Sequence, residues 1–175
     1  MTKIKTPVTK EIIKTLKCGQ EVLLSGTVYT ARDQAHKRLI ETIRRGKRLP
    51  LDLGGSIIYY CGPTGTPKDK VMGSCGPTTS SRMDKFTPQL LKTGLRGMIG
   101  KGSRSKEIIK AIKKCRGVYF LAPAGCGALL AKKVMSSKIV AYKDLGPEAI
   151  RKLEVKDFPL VVGIDSRGRS VYGSR

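Results

Sequence analysis

Three cationic side chains stand where an extended stretch of the sequence passes into a helical one. Arg32 lies in the first of these junctions, Arg82 in the second and Lys101 in the third. Free backbone N–H groups and the positive end of the helix dipole favour anions at such places, and ligands of open α/β sheets usually bind along the same edge. Because successive strand ends converge in space, the three junctions predict one site for a small acid with several negative charges.

The first junction is the segment 30–36. Thr30 and Asp33 have the spacing of a capping box, which would fix the start of a helix. Arg32 then falls in the first helical turn, where the dipole disfavours a cation unless an anion lies nearby. The alternative interpretation is an ordinary solvated arginine.

The second junction carries four successive hydroxyl side chains at positions 78–81, directly before Arg82. This is more than one N-cap needs. If a helix begins near Thr78, Arg82 lies about one turn later on the same face, and a hydroxyl and a guanidinium fork would meet one carboxylate. Thr79 is predicted to be a supporting residue of this site. The alternative interpretation is a helix cap with more hydroxyls than it needs, followed by a surface arginine.

The third junction places Lys101 between two glycines. It resembles a phosphate loop but matches neither G-x-G-x-x-G nor the P-loop order, so a dinucleotide site is not favoured. Such a lysine can hold an oxyanion or donate a proton, although a flexible basic turn explains the glycines equally well.

Metal ligands and a complete catalytic set are missing from the sequence pattern. The five cysteines form no C-x-x-C pair, and His36 is the only histidine, so we expect neither a disulfide framework nor a metal site built by this chain. No nucleophile–base–acid triad is evident either. The repeated tetrapeptide that begins at Cys61 and again at Cys75 is more typical of two turns than of a site. The pattern therefore predicts half of an active site.

The net charge of +22 allows two interpretations. One is nucleic-acid binding through phosphates; the other is a basic surface matched to an acidic partner or substrate. The cations are spread along the whole chain without a block of five, and no RNA-type aromatic signature or zinc-finger spacing accompanies them, so nucleic acid is disfavoured. The N-terminus does not resemble a signal peptide, and the longest apolar stretch, 117–131, is too short for a bilayer. We expect a soluble, cytoplasmic protein with no membrane contact.

Helical and extended segments alternate throughout, which predicts one α/β domain over residues 1–175 with a mixed sheet. Crossover helices make part of the sheet parallel, and antiparallel strands are expected at both ends. A short N-terminal helix is predicted at about 9–18. The other predicted helices are 32–47, 80–93, 105–115, 127–134 and 147–153, and the predicted strands are 21–29, 56–60, 96–99, 118–121, 139–142 and a hairpin of 160–164 with 170–172.

The junction residues carry a family resemblance. The motifs Arg32-Asp-x-Ala-His36, Tyr59-Tyr-Cys-Gly-Pro-Thr64, Gly76-Pro-Thr-Thr-Ser-x-Arg-Met-Asp84 and Gly100-Lys-Gly102 resemble the C-terminal region of class I fumarases. That region is a separate beta subunit in two-subunit fumarases and L-tartrate dehydratases. Three later motifs fit as well: Ala122-Pro-Ala-Gly125, Asp144-Leu-Gly-Pro-Glu-Ala149 and Glu154-Val-x-Asp-Phe-Pro159. The likeness runs from about residue 26 to residue 172.

The resemblance implies a swivelling β/β/α three-layer domain that closes over a cluster-binding alpha subunit. That partner would hold a [4Fe-4S] cluster, and this chain none. The reaction implied is the reversible hydration of fumarate to L-malate, a tricarboxylic acid cycle step, or else the dehydration of L-tartrate.

Carried over by motif, Arg32, Arg82 and Lys101 would hold the carboxylates of the substrate. Thr78 would lie at the reacting carbon, as proton acceptor or as partner to an acidic residue of the other subunit. Asp33 and His36 would orient Arg32. The resemblance gives no role to Cys75 or Cys126, which lie inside the motif regions.

Overall fold

The computed structural model describes residues 1–173, which form a seven-stranded sheet with helices packed against it. The strands are β1 (Thr2–Lys5), β2 (Glu21–Thr30), β3 (Ile57–Tyr59), β4 (Gly97–Gly100), β5 (Val118–Leu121), β6 (Val134–Ala141) and β7 (Ile150–Ile164). The helices are α1 (Lys10–Thr15), α2 (Asp33–Arg44), α3 (Thr87–Lys92), α4 (Lys106–Cys115) and α5 (Gly127–Ala131), with 3-10 turns at Ser80–Met83 and Lys143–Glu148. The predicted α/β class with a mixed sheet is confirmed.

Four neighbouring strands, β2 to β5, run parallel in chain order. Their carboxyl ends therefore share one edge of the sheet. The long strand β7 is antiparallel and pairs with both β2 and β5. A closed ring of paired strands results, in the order β2, β3, β4, β5 and β7. β6 adds an antiparallel strand to β7. At the other end β1 pairs parallel with β2, so the expectation of antiparallel strands at both ends was wrong for β1.

Side chains of the strands enter two separate hydrophobic cores. In β3, Ile57 and Tyr59 belong to the first core and Ile58 to the second, because successive side chains of a strand point to opposite faces. The first core gathers residues from the strands that close on one another, with Ile13 of α1. The second lies between the sheet and helices α2, α3 and α4, and takes in Leu39 of α2. Two sheet layers and one helix layer result, while the swivelling motion stays a prediction.

The predicted helix at 147–153 was wrong. Only the 3-10 turn ending at Glu148 precedes β7, and Ile150 and Leu153 are buried strand residues. Pairing with β2 and β6 overrides the local helical signal of Pro147. The predicted hairpin is reduced to one bridge between Ile164 and Ser170.

Three other boundaries differ from the predicted ones. The helix predicted at 127–134 ends at Ala131, and β6 begins already at Val134. The N-terminal helix covers Lys10–Thr15 rather than 9–18, and the strand β1 before it was not predicted. The helix predicted at 80–93 is divided into a 3-10 turn and α3, which carries Pro88 in its first turn, where proline is tolerated.

Among residues 1–173, no helix combines the length and the apolar character needed to cross a membrane.

Candidate functional site

The predicted site residues lie at the shared carboxyl edge of the parallel strands. Arg32 is the second residue after the end of β2, and Lys101 is the first residue after the end of β4. Between them, β3 continues into Tyr60, Cys61 and Gly62. Since β2, β3 and β4 are neighbours in the sheet, the topology brings the first and third junctions to one side of the domain.

Asp33 joins the two arginines. Its carboxylate accepts hydrogen bonds from Arg82 Nε at 3.1 Å and from Arg82 Nη2 at 2.8 Å. Arg32 Nη2 lies 3.8 Å from the same Oδ2 atom. The side-on pair with Asp33 leaves Nη1 of Arg82 outside the ion pair, and the Arg82 side chain is 49% exposed. Asp33 therefore holds Arg82 through two hydrogen bonds and Arg32 only through a longer ion pair. The family resemblance had implied that Asp33 orients Arg32.

Arg32 keeps donors available for a ligand. Its Nε is buried and has no hydrogen-bond partner within the described chain, and its other ion pair, with Glu148 Oε1, is long at 4.0 Å. A Cβ atom added at Gly62 would lie 3.0 Å from Arg32 Cδ and 3.1 Å from Nη1, so glycine leaves room for this guanidinium. A buried donor without a partner is costly unless a ligand satisfies it.

Thr78 and Lys101 meet through their backbones. Thr78 N donates to Tyr60 O at 2.7 Å, and Lys101 N donates to Thr78 O at 3.3 Å. Ser80 N in turn donates to Lys101 O at 2.9 Å, and Thr79 bridges Lys101 in parallel. Backbone hydrogen bonds thus connect the second and third junctions to each other and to the residue that follows β3.

Two sequence arguments about these junctions were wrong. Thr78 does not share a helix face with Arg82, because the helical turn begins only at Ser80 and is 3-10. Thr79 is exposed and makes no cap hydrogen bond. The capping box of Thr30 and Asp33 does not form either. The buried Thr30 hydroxyl accepts from Arg151 N at 3.0 Å, and Arg32 rather than Thr30 occupies the N-cap of α2.

His36 supports Arg32 through the main chain. Its Nδ1 lies 2.7 Å from Arg32 O, so this nitrogen donates the hydrogen bond. The ring is fully buried, 5.3 Å from the Tyr60 ring and 5.8 Å from the Phe86 ring between centroids. Burial lowers the pKa of His36 to about 4, so the ring is neutral at pH 7. His36 therefore fixes the backbone of Arg32 and carries no charge toward a ligand.

Acid should weaken the fold through His36. The pKa in the folded state, about 4, lies below the usual 6.5, so the unfolded chain binds the proton first as the pH falls. The free energy of unfolding should therefore decrease below pH 6.5, with a loss from His36 of about 2 kcal/mol at pH 5. We expect His36→Gln, which keeps a donor but does not titrate, to remove this part of the decrease in urea unfolding measured at pH 7.5 and pH 5. An unchanged difference between the two pH values would contradict the assignment.

A buried arginine that the sequence pattern did not single out braces the site. The Arg104 side chain is fully buried, and its Nε donates to Asp84 Oδ1 at 2.6 Å. Its Nη2 donates to Thr87 Oγ1 at 2.8 Å, and its guanidinium carbon lies 5.5 Å and 5.1 Å from the ring centroids of Tyr60 and Tyr119.

The same carboxylate fixes the loop after Lys101. Asp84 Oδ2 accepts from Ser105 N at 2.9 Å, so Asp84 holds the third junction against the second. The Tyr119 hydroxyl lies 2.8 Å from both Ser80 Oγ and Gly102 O, and so links the same two loops. Glycine is required at position 100 because a Cβ there would overlap the Ser80 side chain. The only sequence signal for this arrangement was Asp84, at the end of the third family motif.

Positive charge exceeds negative charge at this edge. Arg32 pairs with Asp33 and Glu148, and Arg82 pairs with Asp33. Lys101 makes no ion pair within residues 1–173. A bound carboxylate would balance this excess and satisfy the open arginine donors. The arrangement can bind and orient a small acid.

The cysteines near this edge form no ligand set. Cys61 and Cys75 are free and buried, and the hydrogen bond with Cys75, together with burial, raises the pKa of the Cys61 thiol. Within residues 1–173, no three or more His, Cys, Asp or Glu side chains are grouped so that they could hold a metal ion.

Known proteins are similar to this chain in sequence. The model of the family described as Fumarase C-terminus matches residues 1–175. A protein of Methanocaldococcus jannaschii, provisionally named L(+)-tartrate dehydratase subunit beta, is 44% identical over 170 residues, which cover 94% of this chain and 87% of that protein. The aerobic class I fumarate hydratase of Escherichia coli (strain K12) is 39% identical over 168 residues, covering 93% of this chain and 31% of the enzyme.

A third relative, fumarate hydratase 2 of Leishmania major, is 39% identical over 156 residues, which cover 88% of this chain and 28% of that enzyme. The chain thus spans most of the tartrate dehydratase subunit and less than a third of each of these two fumarate hydratases. The suspected resemblance is confirmed over almost the whole length. This chain belongs to the Fumarase C-terminus family.

Proposed function

We propose that this chain is the beta subunit of a class I iron–sulfur fumarate hydratase, which catalyses the reversible hydration of fumarate to L-malate with a cluster-bearing alpha subunit. The proposal rests chiefly on the meeting of Arg32 and Arg82 at Asp33, beside the Thr78–Lys101 contact. Family members with hydro-lyase names support the reaction class.

In this proposal the cations divide the substrate between them. Arg82 offers Nη1, which Asp33 does not engage, and Arg32 offers its buried Nε. Lys101 provides a compact third charge at the end of β4. Fixed donors of this kind bind the two carboxylates of a four-carbon diacid. They thereby fix the orientation of the two central carbons, at which the reaction takes place.

Thr78 is proposed to lie at the reacting carbon. Hydration forms a C–O bond at one carbon and places a proton on its neighbour, and dehydration reverses both. A threonine hydroxyl is a weak base by itself, so Thr78 either accepts this proton in an activating environment or hydrogen-bonds an acidic residue of the partner that does so. The Thr78 backbone is held at both its N–H and its C=O, which suits a fixed position.

The cluster implied by the family does not fit the described residues of this chain, as they offer no group of three ligands. We therefore place it on the partner subunit in this proposal, and derive from this chain only binding and orientation. The site edge is also exposed to solvent, since 49% of the Arg82 side chain is accessible. A partner surface is needed to exclude water from the substrate.

L-tartrate dehydratase is the second candidate function. It is favoured by one observation, the match of this chain to 87% of a subunit provisionally named for that enzyme. Tartrate carries two carboxylates like malate and one hydroxyl more, so the same cations could hold it.

Reconstitution separates the candidates. The purified chain should not hydrate fumarate alone, and adding the cluster-bearing subunit anaerobically should restore turnover, measured as the change in fumarate absorbance. Fumarate hydratase predicts a kcat/KM for L-malate that exceeds the value for L-tartrate, and the reverse order would favour tartrate dehydratase. Turnover of malate by the isolated chain would contradict the division of the site between subunits.

A further inference from the structure

A second cavity lies behind the loop that follows Lys101. It has a volume of about 750 Å³ and is formed between the first half of α4 and the segment 168–173. Its walls include Ser103 and Arg104 from the loop between β4 and α4. The volume falls in the range of small-molecule sites, roughly 300–1,000 Å³, and is far larger than a four-carbon diacid needs.

Cations are the only charged residues that line the cavity, while the nearby carboxylates are Asp165 beside Arg169 and Glu107 on the same helix as the two lysines. Lys106, Lys110 and Arg169 face it, and none of its lining residues is a carboxylate. Neither lysine forms an ion pair in the part of the chain that the structure describes. Arg169 Nε is 3.6 Å from Asp165 Oδ2, but that carboxylate also accepts backbone hydrogen bonds and the arginine side chain is 60% exposed. Cations that line one cavity favour binding of a multiply charged anion.

The remaining walls suit an aromatic group. Ile109 contributes apolar surface, and the ring of Tyr172 is 45% exposed. The hydroxyls of Ser103 and Ser170 add hydrogen-bonding groups. Bases of nucleotides stack on exposed tyrosines, while their phosphates bind lysine and arginine.

We infer that this cavity binds a nucleoside phosphate, with the phosphates on Lys106, Lys110 and Arg169 and the base against Tyr172. The inference is independent of the proposed hydro-lyase function because it concerns binding to this chain alone. The site is separate from the acid-binding edge, and they share only the loop 101–105.

Calorimetric titration of the 175-residue chain with ATP at 150 mM salt tests the inference. We expect saturable 1:1 binding, weakened about tenfold in the double variant Lys110→Ala/Arg169→Ala, because two charge-assisted contacts to phosphate are lost. Lys114→Ala is the matched control, since this lysine is exposed on the same helix but does not line the cavity. Arg82→Ala should also leave ATP affinity unchanged, which separates this cavity from the acid-binding edge.

One further ligand and one further variant test whether the base is recognised as well as the phosphates. Tripolyphosphate should bind about tenfold more weakly than ATP if a base stacks on the tyrosine, and Tyr172→Ala should abolish that difference. No saturable binding of ATP, equal weakening by Lys114→Ala, or equal affinities for ATP and tripolyphosphate would each overturn the inference.

Discussion

Replacing Arg82 by alanine should lower kcat/KM of the reconstituted enzyme by roughly three orders of magnitude, the effect typical of removing a preorganised charged donor from an active site. Arg82 is held by two hydrogen bonds to Asp33, with Nη1 left for a ligand. Its loss removes a carboxylate-binding group and leaves Asp33 as an uncompensated negative charge beside the substrate. Steady-state kinetics with L-malate measures the effect.

The same substitution should leave the fold intact. The Arg82–Asp33 pair is half-exposed, and surface ion pairs contribute at most about 1 kcal/mol to stability. Arg38→Ala is a matched control, because Arg38 makes a similar exposed ion pair with Asp144 further along α2. We expect Arg38→Ala to retain near-normal kinetics and Arg82→Ala to retain its urea midpoint. Near-normal kinetics of Arg82→Ala would remove this residue from the site.

Replacing Arg104 by alanine should lower the free energy of unfolding by about 3–5 kcal/mol, as expected when one partner of a buried ion pair is removed. The change leaves Asp84 without its cation in a largely buried position and removes the guanidinium that lies between Tyr60 and Tyr119. It should also lower activity, because Asp84 anchors the loop after Lys101 through Ser105 N. Urea unfolding of the purified chain measures the stability.

A double-mutant cycle checks the assignment to this ion pair. Asp84→Asn alone should also destabilise the fold, and the double variant Arg104→Ala/Asp84→Asn should be more stable than the sum of the two single losses implies, because the buried charges are removed together. Exposed ion pairs typically contribute at most about 1 kcal/mol. If the free energy of unfolding of Arg104→Ala differs from that of the unmodified chain by no more than this, Arg104 does not hold the two loops together.

The convergence of the first and third junctions was available from the sequence because it depends on a general property of parallel strands. Once 21–29, 56–60 and 96–99 are recognised as strands, Arg32 and Lys101 must lie at carboxyl ends. The order of the strands in the sheet then brings those ends together. The pairing of Asp33 with Arg82 needed the tertiary structure, because the two residues are 49 positions apart.

The errors arose where distant contacts override local signals. Pro147 resembles a helix start, but the residues after it pair with β2 and β6 as part of β7. The hydroxyl of Thr30 suits a helix cap in the sequence, yet it binds the backbone of β7 at Arg151. The sequence pattern did not distinguish Arg104 from the other cations, because nothing local reveals that two tyrosines and Asp84 enclose it.

A crystal structure of the two-subunit complex with bound L-malate would test the central claim most directly. The expected result is a diacid whose carboxylate oxygens lie within hydrogen-bond distance of Arg32, Arg82 and Lys101, with Thr78 beside the reacting carbon. A diacid bound only by side chains of the partner, with Arg82 paired solely to Asp33, would contradict it.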